Sequence, residues 1–341
     1  MALKIKRPTK NFDRPLTQNI TDYQTQFLSF MAEHGMEPDK KRGLVDDGSI
    51  GRAFINLGGD RKLSGWYQLW LNQSMPFGRV GDYRISMDQP TATWLPENKK
   101  SYRMTKTHKE EIVRLQKEAE IKRAEKYGKA AKKAQTLWER ATPCEKHPYL
   151  EKKGVLSYGL RVDNKGNLMI PLYDTNLSIV GLQYINNEGK KLFLTGSRKS
   201  GSFFILGQEV LKTSETIYYA EGYATGASVH RDMALPVFIA FDAYNLLKVT
   251  QAVFNRLKDR KHVFIADNDD SKTGEKEAMK ASQWIIKNKG MAEVHMPETK
   301  GDYNDHAGTE LPTLTVIDTP TEIDFVKSDK GRMLNIKENV Q

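Results

Sequence analysis

The run Ile217-Tyr-Tyr-Ala-Glu-Gly-Tyr-Ala-Thr225 is the stretch from which the rest of the chain is read. Its first four residues are apolar and β-prone over the length of a strand, Glu221-Gly222 turns sharply, and Tyr223 to Val229 suits a helix. A carboxylate therefore stands at the tip of a strand. The unit recurs: Val237-Phe-Ile-Ala240 leads into Phe241-Asp242-Ala243 and a helical Tyr244 to Leu257, and Val263-Phe-Ile-Ala266 leads into Asp267-Asn-Asp-Asp270 and a helical Gly274 to Lys287. A fourth short strand, about Glu293 to Met296, precedes Gly301-Asp-Tyr-Asn-Asp305. Strands alternating with helices predict right-handed βαβ crossovers and a parallel sheet.

In such sheets ligands gather at the carboxyl ends of the strands. That edge receives Glu221, Asp267, Asp269, Asp270, Asp302 and Asp305, which repel one another unless cations lie between them. An all-oxygen donor set favours magnesium or manganese over zinc. The expectation is a divalent-metal site for phosphoryl or nucleotidyl transfer.

Glu-Gly after an apolar strand, Asp-x-Asp after a later one and a third acidic cluster together resemble the Toprim domain of primases, topoisomerases and some nucleases. The finer wording, Glu221-Gly-Tyr-Ala-Thr225, Ala240-Phe-Asp-Ala-Tyr-Asn-Leu246, Ala266-Asp-Asn-Asp269 and Gly301-Asp-Tyr-Asn-Asp305, is similar to plasmid- and phage-encoded DNA primases. Replicative primases usually carry an Asp four residues after the Glu; here that place is Thr225, which leaves the first strand one metal-facing carboxylate. The resemblance implies catalytic Glu221, Asp267 and Asp269, with Asp302 and Asp305 completing a two-metal site for Mg2+ or Mn2+. It also implies that Lys190, Lys191, Arg198, Lys199, Gln183 and Asn245 meet nucleotide or template.

The 341 residues are long enough for two or three units, and the net charge of +10 suggests a polyanionic partner. A single cysteine, Cys144, excludes an internal disulfide framework and the Cys-x-x-Cys zinc ribbon common in replicative primases. No apolar run of membrane-spanning length or signal peptide is present, so the expected location is cytoplasmic, with no membrane partner. No Gly-x-x-x-x-Gly-Lys-Ser/Thr segment occurs, so strand opening would fall to a separate replicative helicase.

Ahead of the sheet, residues 1 to about 17 read as a polar arm, and Tyr23, Phe27, Phe30 and Met31 share one face of a helix. From Gly43 to Trp94, short β-type runs are separated by turns such as Gly58-Gly59-Asp60. There Trp66, Tyr67, Trp70, Phe77, Tyr83 and Trp94 interleave with Arg52, Arg61, Lys62, Arg79 and Arg84. These aromatics are either the core of a small domain or a stacking platform for unpaired bases. Lys99 to Lys133 holds 13 Lys and Arg against 5 Glu with thin apolar spacing: a solvated helical connector, a rail for phosphates, or both. His147, before Pro148, is expected to cap or brace rather than catalyse. Leu160 to Gly207 reads as a four-run β-meander closed by Ser202-Phe-Phe-Ile-Leu206.

The predicted layout is mixed α/β: an N-terminal α+β domain with possible template binding (1–97), a basic helical connector (98–145), a β-meander subdomain (146–210), a Toprim catalytic domain (211–312) and a C-terminal tail (313–341). Within that tail Thr313 to Ile317 is a candidate edge strand. The expected function is template-directed condensation of ribonucleoside triphosphates into short RNA primers on single-stranded DNA, for a plasmid or phage. The rivals are a Toprim nuclease and a non-catalytic single-strand-binding accessory protein.

Overall fold

The computed structural model describes residues 20–39, 43–57, 60–71, 76–84, 90–96, 106–307 and 313–317, with two-residue strands at Val326–Lys327 and Met333–Leu334. The polar arm, the Gly58-Gly59 turn, residues 99–105 of the basic stretch and most of the tail lie outside the described residues. Two compact units, Met1–Lys122 and Arg123–Gln341, divide the chain.

In the first unit a helix α1 (Ile20–Glu33) precedes a five-stranded antiparallel sheet of β1 (Met36–Pro38), β2 (Gly51–Leu57), β3 (Asp60–Trp70), β4 (Phe77–Asp82) and β5 (Ala92–Trp94), paired in chain order. Phe27 and Met31 of α1 pack with Ala53, Ile55, Tyr67, Leu69, Val80 and Trp94. Alternation along β3 turns Trp66, Gln68 and Trp70 to the opposite face, where they are buried too. The Trp66 ring lies so close over Gly81 that a Cβ there would fall 2.3 Å from ring atoms, so this position takes only glycine. Trp66, Tyr67, Trp70, Phe77 and Trp94 are all at most 4% exposed and offer no free ring faces to bases. Four of the interleaved cations are engaged locally: Arg84 with Asp82 at 2.6 Å, Arg61 with Glu37 at 3.0 Å, Arg79 with Gln68 at 2.8 Å, and Arg52 with the Leu63 carbonyl. Of the two sequence readings, the structure of these rings is that of a core.

The basic stretch forms α2 (Lys106–Arg140), and the boundary between the units falls within it. In the second unit, β6 (Thr142–Pro143), α3 (Pro148–Lys153), β7 (Arg161–Val162), β8 (Leu168–Tyr173), β9 (Ile179–Ile185) and β10 (Lys191–Phe193) follow. His147 caps α3: its Nδ1 accepts from the Tyr149 amide at 3.2 Å and its Nε2 donates to the Gly166 carbonyl at 3.0 Å. The strands form an antiparallel sheet in the order β10-β9-β8-β7-β6. On one face Met169 and Leu182 pack with Ala134 of α2. Leu168, Ile170, Leu172 and Ile185 on the other face join a core shared with a second sheet.

That second sheet has the order β11-β13-β12-β14-β15-β16, built from β11 (Phe204–Leu206), β12 (Thr216–Ala220), β13 (Val237–Ile239), β14 (Lys261–Ile265), β15 (Met291–Pro297) and β16 (Leu314–Ile317). The helices α4 (Tyr223–Met233), α5 (Leu246–Leu257) and α6 (Thr273–Lys287) connect its central strands. Those four central strands are parallel, whereas β11 and β16 flank them antiparallel. Two points differ from the sequence reading. The sheet is parallel only at its centre, and Phe204-Ile-Leu206 leaves the meander to pair with β13, keeping one bridge from Phe203 back to Tyr173. All three residues of β11 are buried, as a strand covered on both faces requires. Among the described residues no helix is long and apolar enough to cross a membrane.

Candidate active site

Parallel pairing puts Ala220, Ile239 and Ile265 side by side, so the residues that follow them share one edge. Glu221 leaves β12 there, and Gly222 caps α4. Helix and sheet approach closely at Gly226, where a Cβ would lie 2.0 Å from Ile239 Cδ1. Asp267 leaves β14, and the loop behind it is pinned to the third acidic segment by backbone bonds in both directions between Asn268 and Gly301, each 2.9 Å. Asn268 Nδ2 adds a 2.9 Å bond to the Pro297 carbonyl. Segments far apart in sequence are thus fastened together by Asn268.

The resulting cleft, about 300 Å3, is lined by Glu221, Asp267 and Asp302 with Lys152, Lys153 and Lys191. Burial pushes the Glu221 carboxyl up to about 7, and the charges of Asp267, Asp242 and Asp269 push the same way against Lys191. Asp267 is raised to about 6, first by burial and then by Asp302 and Asp269. Its Oδ1 is buried without a hydrogen-bond partner. A carboxylate oxygen held out of water beside like charges is stable only if a cation or proton reaches it. The donors are oxygens throughout, which fits a hard divalent cation. Among the described residues, no three His, Cys, Asp or Glu side chains converge closely enough to hold a metal as they stand.

The other acidic residues are placed differently. Asp269 is exposed and accepts from Ser271 Oγ at 2.8 Å. Asp302 and Asp305 form a reciprocal capping box on the short helix α7 (Tyr303–His306). Both also face Lys153, whose Nζ lies 3.0 Å from Asp305 Oδ1 and 3.8 Å from Asp302 Oδ2. Its hydrogen bond to Lys153 holds the Asp305 carboxyl below the usual range. Asp270 is exposed and paired with Lys300, outside the lining of the cleft.

Of the six residues expected to meet nucleotide or template, the structure gathers two at this edge. Lys191 lines the cleft, its Nζ 3.7 Å from where a Cβ on Gly222 would stand. Lys199 pairs with Asp242 and lies 5.4 Å from the Phe193 ring centre. Arg198 is turned to Asp174 at 3.5 Å, and Lys190 lines a different cleft on the meander. Gln183 is 4% exposed, inside the sheet opposite Phe193. Asn245, 3% exposed, donates to the carbonyls of Ser202 (3.0 Å) and Ala240 (2.8 Å) and accepts from the Gly201 amide (2.8 Å). Asn245 is a brace between β11 and β13, with its amide occupied. The residue that sequence reasoning missed is Lys153, whose only local signal is a basic last turn before the left-handed Gly154.

Residues 216–312 match the family model of the Toprim domain, and the chain carries that domain. Its curated relatives include two Escherichia coli proteins named DNA primase TraC. One is 34% identical over 128 residues, 37% of this chain and 12% of that protein. The other is 30% identical over 237 residues, 66% of this chain and 16% of that protein. This chain is similar to part of these proteins and spans less than a fifth of the length of either. Similar solved structures include the primase fragment of the bacteriophage T7 primase-helicase protein, at 19% identity and TM-score 0.40 over 49% of this chain and 71% of that one. The DnaG primase catalytic domain bound to single-stranded DNA aligns at 12% identity and TM-score 0.41 over 53% and 75%.

Proposed function

We propose that this protein is a DNA primase that synthesises short RNA primers on single-stranded DNA for a plasmid or phage, with Glu221, Asp267 and Asp269 as the reactive centre. The observation that carries the reading is the unpartnered, buried Asp267 Oδ1 in a cleft that Glu221 also lines, at the edge of a Toprim sheet. Glu221, Asp267 and Asp269 would hold Mg2+ or Mn2+, with Asp302 and Asp305 completing a two-metal site. Such ions supply charge neutralisation of the triphosphate and a lowered pKa for the attacking 3′-hydroxyl. Burial and its carboxylate neighbours raise Glu221 to about 7 without a cation, so a bound divalent ion would be what keeps it ionised near neutral pH. Lys191, with Lys152 and Lys153 in the same lining, offers ammonium groups to a triphosphate. A separate helicase would expose the template, and the cytoplasm would be the site of action.

Purified protein with single-stranded DNA, magnesium or manganese and labelled ribonucleotides should yield short oligomers. Asp267→Asn and Glu221→Gln should each lower that yield by about 10³-fold, equivalent to roughly 4 kcal/mol of transition-state stabilisation. DNA degradation without oligomers from the wild type would transfer the site to the nuclease reading.

A further inference from the structure

Lys190 and Lys191 are neighbours on the edge of the meander, yet they line different clefts. Lys191 belongs to the acidic cleft. Lys190 opens onto a larger one, about 660 Å3, whose other wall is the C-terminal half of α2. It lies on the sheet face where Met169 and Leu182 pack with Ala134, the face turned away from the core shared with the catalytic sheet.

Its chemistry is that of a strand-binding groove. Lys133, Arg140, Lys165 and Lys190 surround an apolar floor that includes Tyr184 and the exposed Leu192. One carboxylate, Asp163, is present, and its oxygens already accept from the amides of Lys165 (2.9 Å) and Asn167 (2.8 Å) and from Asn167 Nδ2. Its oxygens serve their own turn, and four cations against this one carboxylate leave the lining net positive. Lys133 and Arg140 are seven residues apart on one helix, about 10 Å along its axis. Lys126 and Lys129, both exposed, extend the run along α2. Cations laid out in a line match a linear polyanion better than the compact phosphates of one nucleotide, and Tyr184 with Leu192 gives bases an apolar surface.

We infer that this cleft is a second track for single-stranded nucleic acid, on the reverse face of the meander, holding the strand beyond the acidic cleft. The assignment rests on the proposed reading of a nucleic-acid enzyme, but binding can be measured without synthesis. The strand would pass over the edge strand β10, where Lys190 and Lys191 hand it from one cleft to the other.

The experiment is fluorescence anisotropy with labelled oligothymidine, without metal or nucleotide, across a salt series. The triple variant Lys133→Gln, Arg140→Gln, Lys165→Gln alters only exposed side chains. It should reduce the slope of log K against log salt by about 2, the value for three lost contacts to a single strand. Leu192→Asp, also exposed, should weaken binding roughly 10-fold by placing a charge where bases lie. An unchanged slope and an unchanged affinity in these variants would overturn the track, even with primer synthesis intact. Equal loss of ATP binding and oligothymidine binding would also overturn it, in favour of a compact nucleotide site. Absence of synthesis by the wild type, with the strand-binding losses present, would sink the primase reading and leave the track standing.

Discussion

The acidic edge of the six-stranded sheet and the aromatic sheet of the N-terminal unit are both crowded with residue types that functional sites use, and they differ in what those residues have left to bind. Trp66, Trp70 and Phe77 are buried, with Trp70 and Phe77 stacked at 4.4 Å, and Arg79, Arg84 and Arg61 are answered by neighbours. At the acidic edge the accounting fails to close: Asp267 Oδ1 is buried without a donor, and Glu221 is held beside three other carboxylates. Residue type alone is a weak indicator. Interaction capacity that the fold leaves unanswered, at a buried position, is a stronger one.

The comparison breaks most sharply under substitution. Asp267→Asn, whose loss of synthesis is the largest effect expected, should cost no stability, because it removes a charge that the fold leaves uncompensated. Trp66→Ala should do the reverse, destabilising the N-terminal unit by about 3–5 kcal/mol in denaturant unfolding. Trp66→Leu separates packing from stacking: it retains bulk but has no π face. Its single-strand affinity should equal that of the wild type. A tenfold loss in a folded Trp66→Leu protein would return the N-terminal rings to the role of base platform.

A smaller effect comes from pH. Glu221 rises from 4.5 to about 7 and Asp267 from 3.8 to about 6 in the folded protein. Raised carboxyls bind their protons more tightly folded than unfolded. Their contribution is therefore fully present below about pH 4 and is lost as pH climbs through about 6 to 7. In chelator, the wild type should lose on the order of 1–2 kcal/mol relative to the double variant Glu221→Gln, Asp267→Asn across that window, allowing for solvent screening. Magnesium should reverse the trend by favouring the ionised pair. Parallel pH curves for the two proteins would show that these carboxyls titrate normally and that the edge is not strained.

How much of this was legible beforehand depended on whether the signal was local. Val237-Phe-Ile239 and Val263-Phe-Ile265 read as strands because doubly covered strands are apolar at every position, and the acidic residues followed at their ends. The N-terminal core was half legible: Trp66, Gln68 and Trp70 alternate with Tyr67, Leu69 and Leu71, and apolar residues on both sides of one strand mean burial on both faces. Partnerships were not legible. Phe204-Ile-Leu206 is as compatible with the meander as with β13, since uniform burial carries no record of which strand lies alongside. Nor does the polarity of Gln183 or Asn245 disclose that each points inward. Lys153 reaches Asp305 from a helix more than 150 residues earlier, a contact that only the tertiary fold creates.

That lysine sharpens the comparison at its margin, because Asp302 and Asp305 resemble both regions. They are answered, by each other in the capping box and by Lys153, and still they stand beside the unanswered Asp267. If they are ligands, Lys153 is a resident counter-ion that a divalent cation must displace. Lys153→Gln should then lower the magnesium concentration for half-maximal synthesis about threefold, the worth of a partly exposed ion pair, while stability changes by less than about 1 kcal/mol. If they are caps only, the magnesium midpoint stays where it is. The direction separates the roles, since loss of a lysine that served only to grip triphosphate would raise the nucleotide KM and leave the magnesium midpoint unmoved.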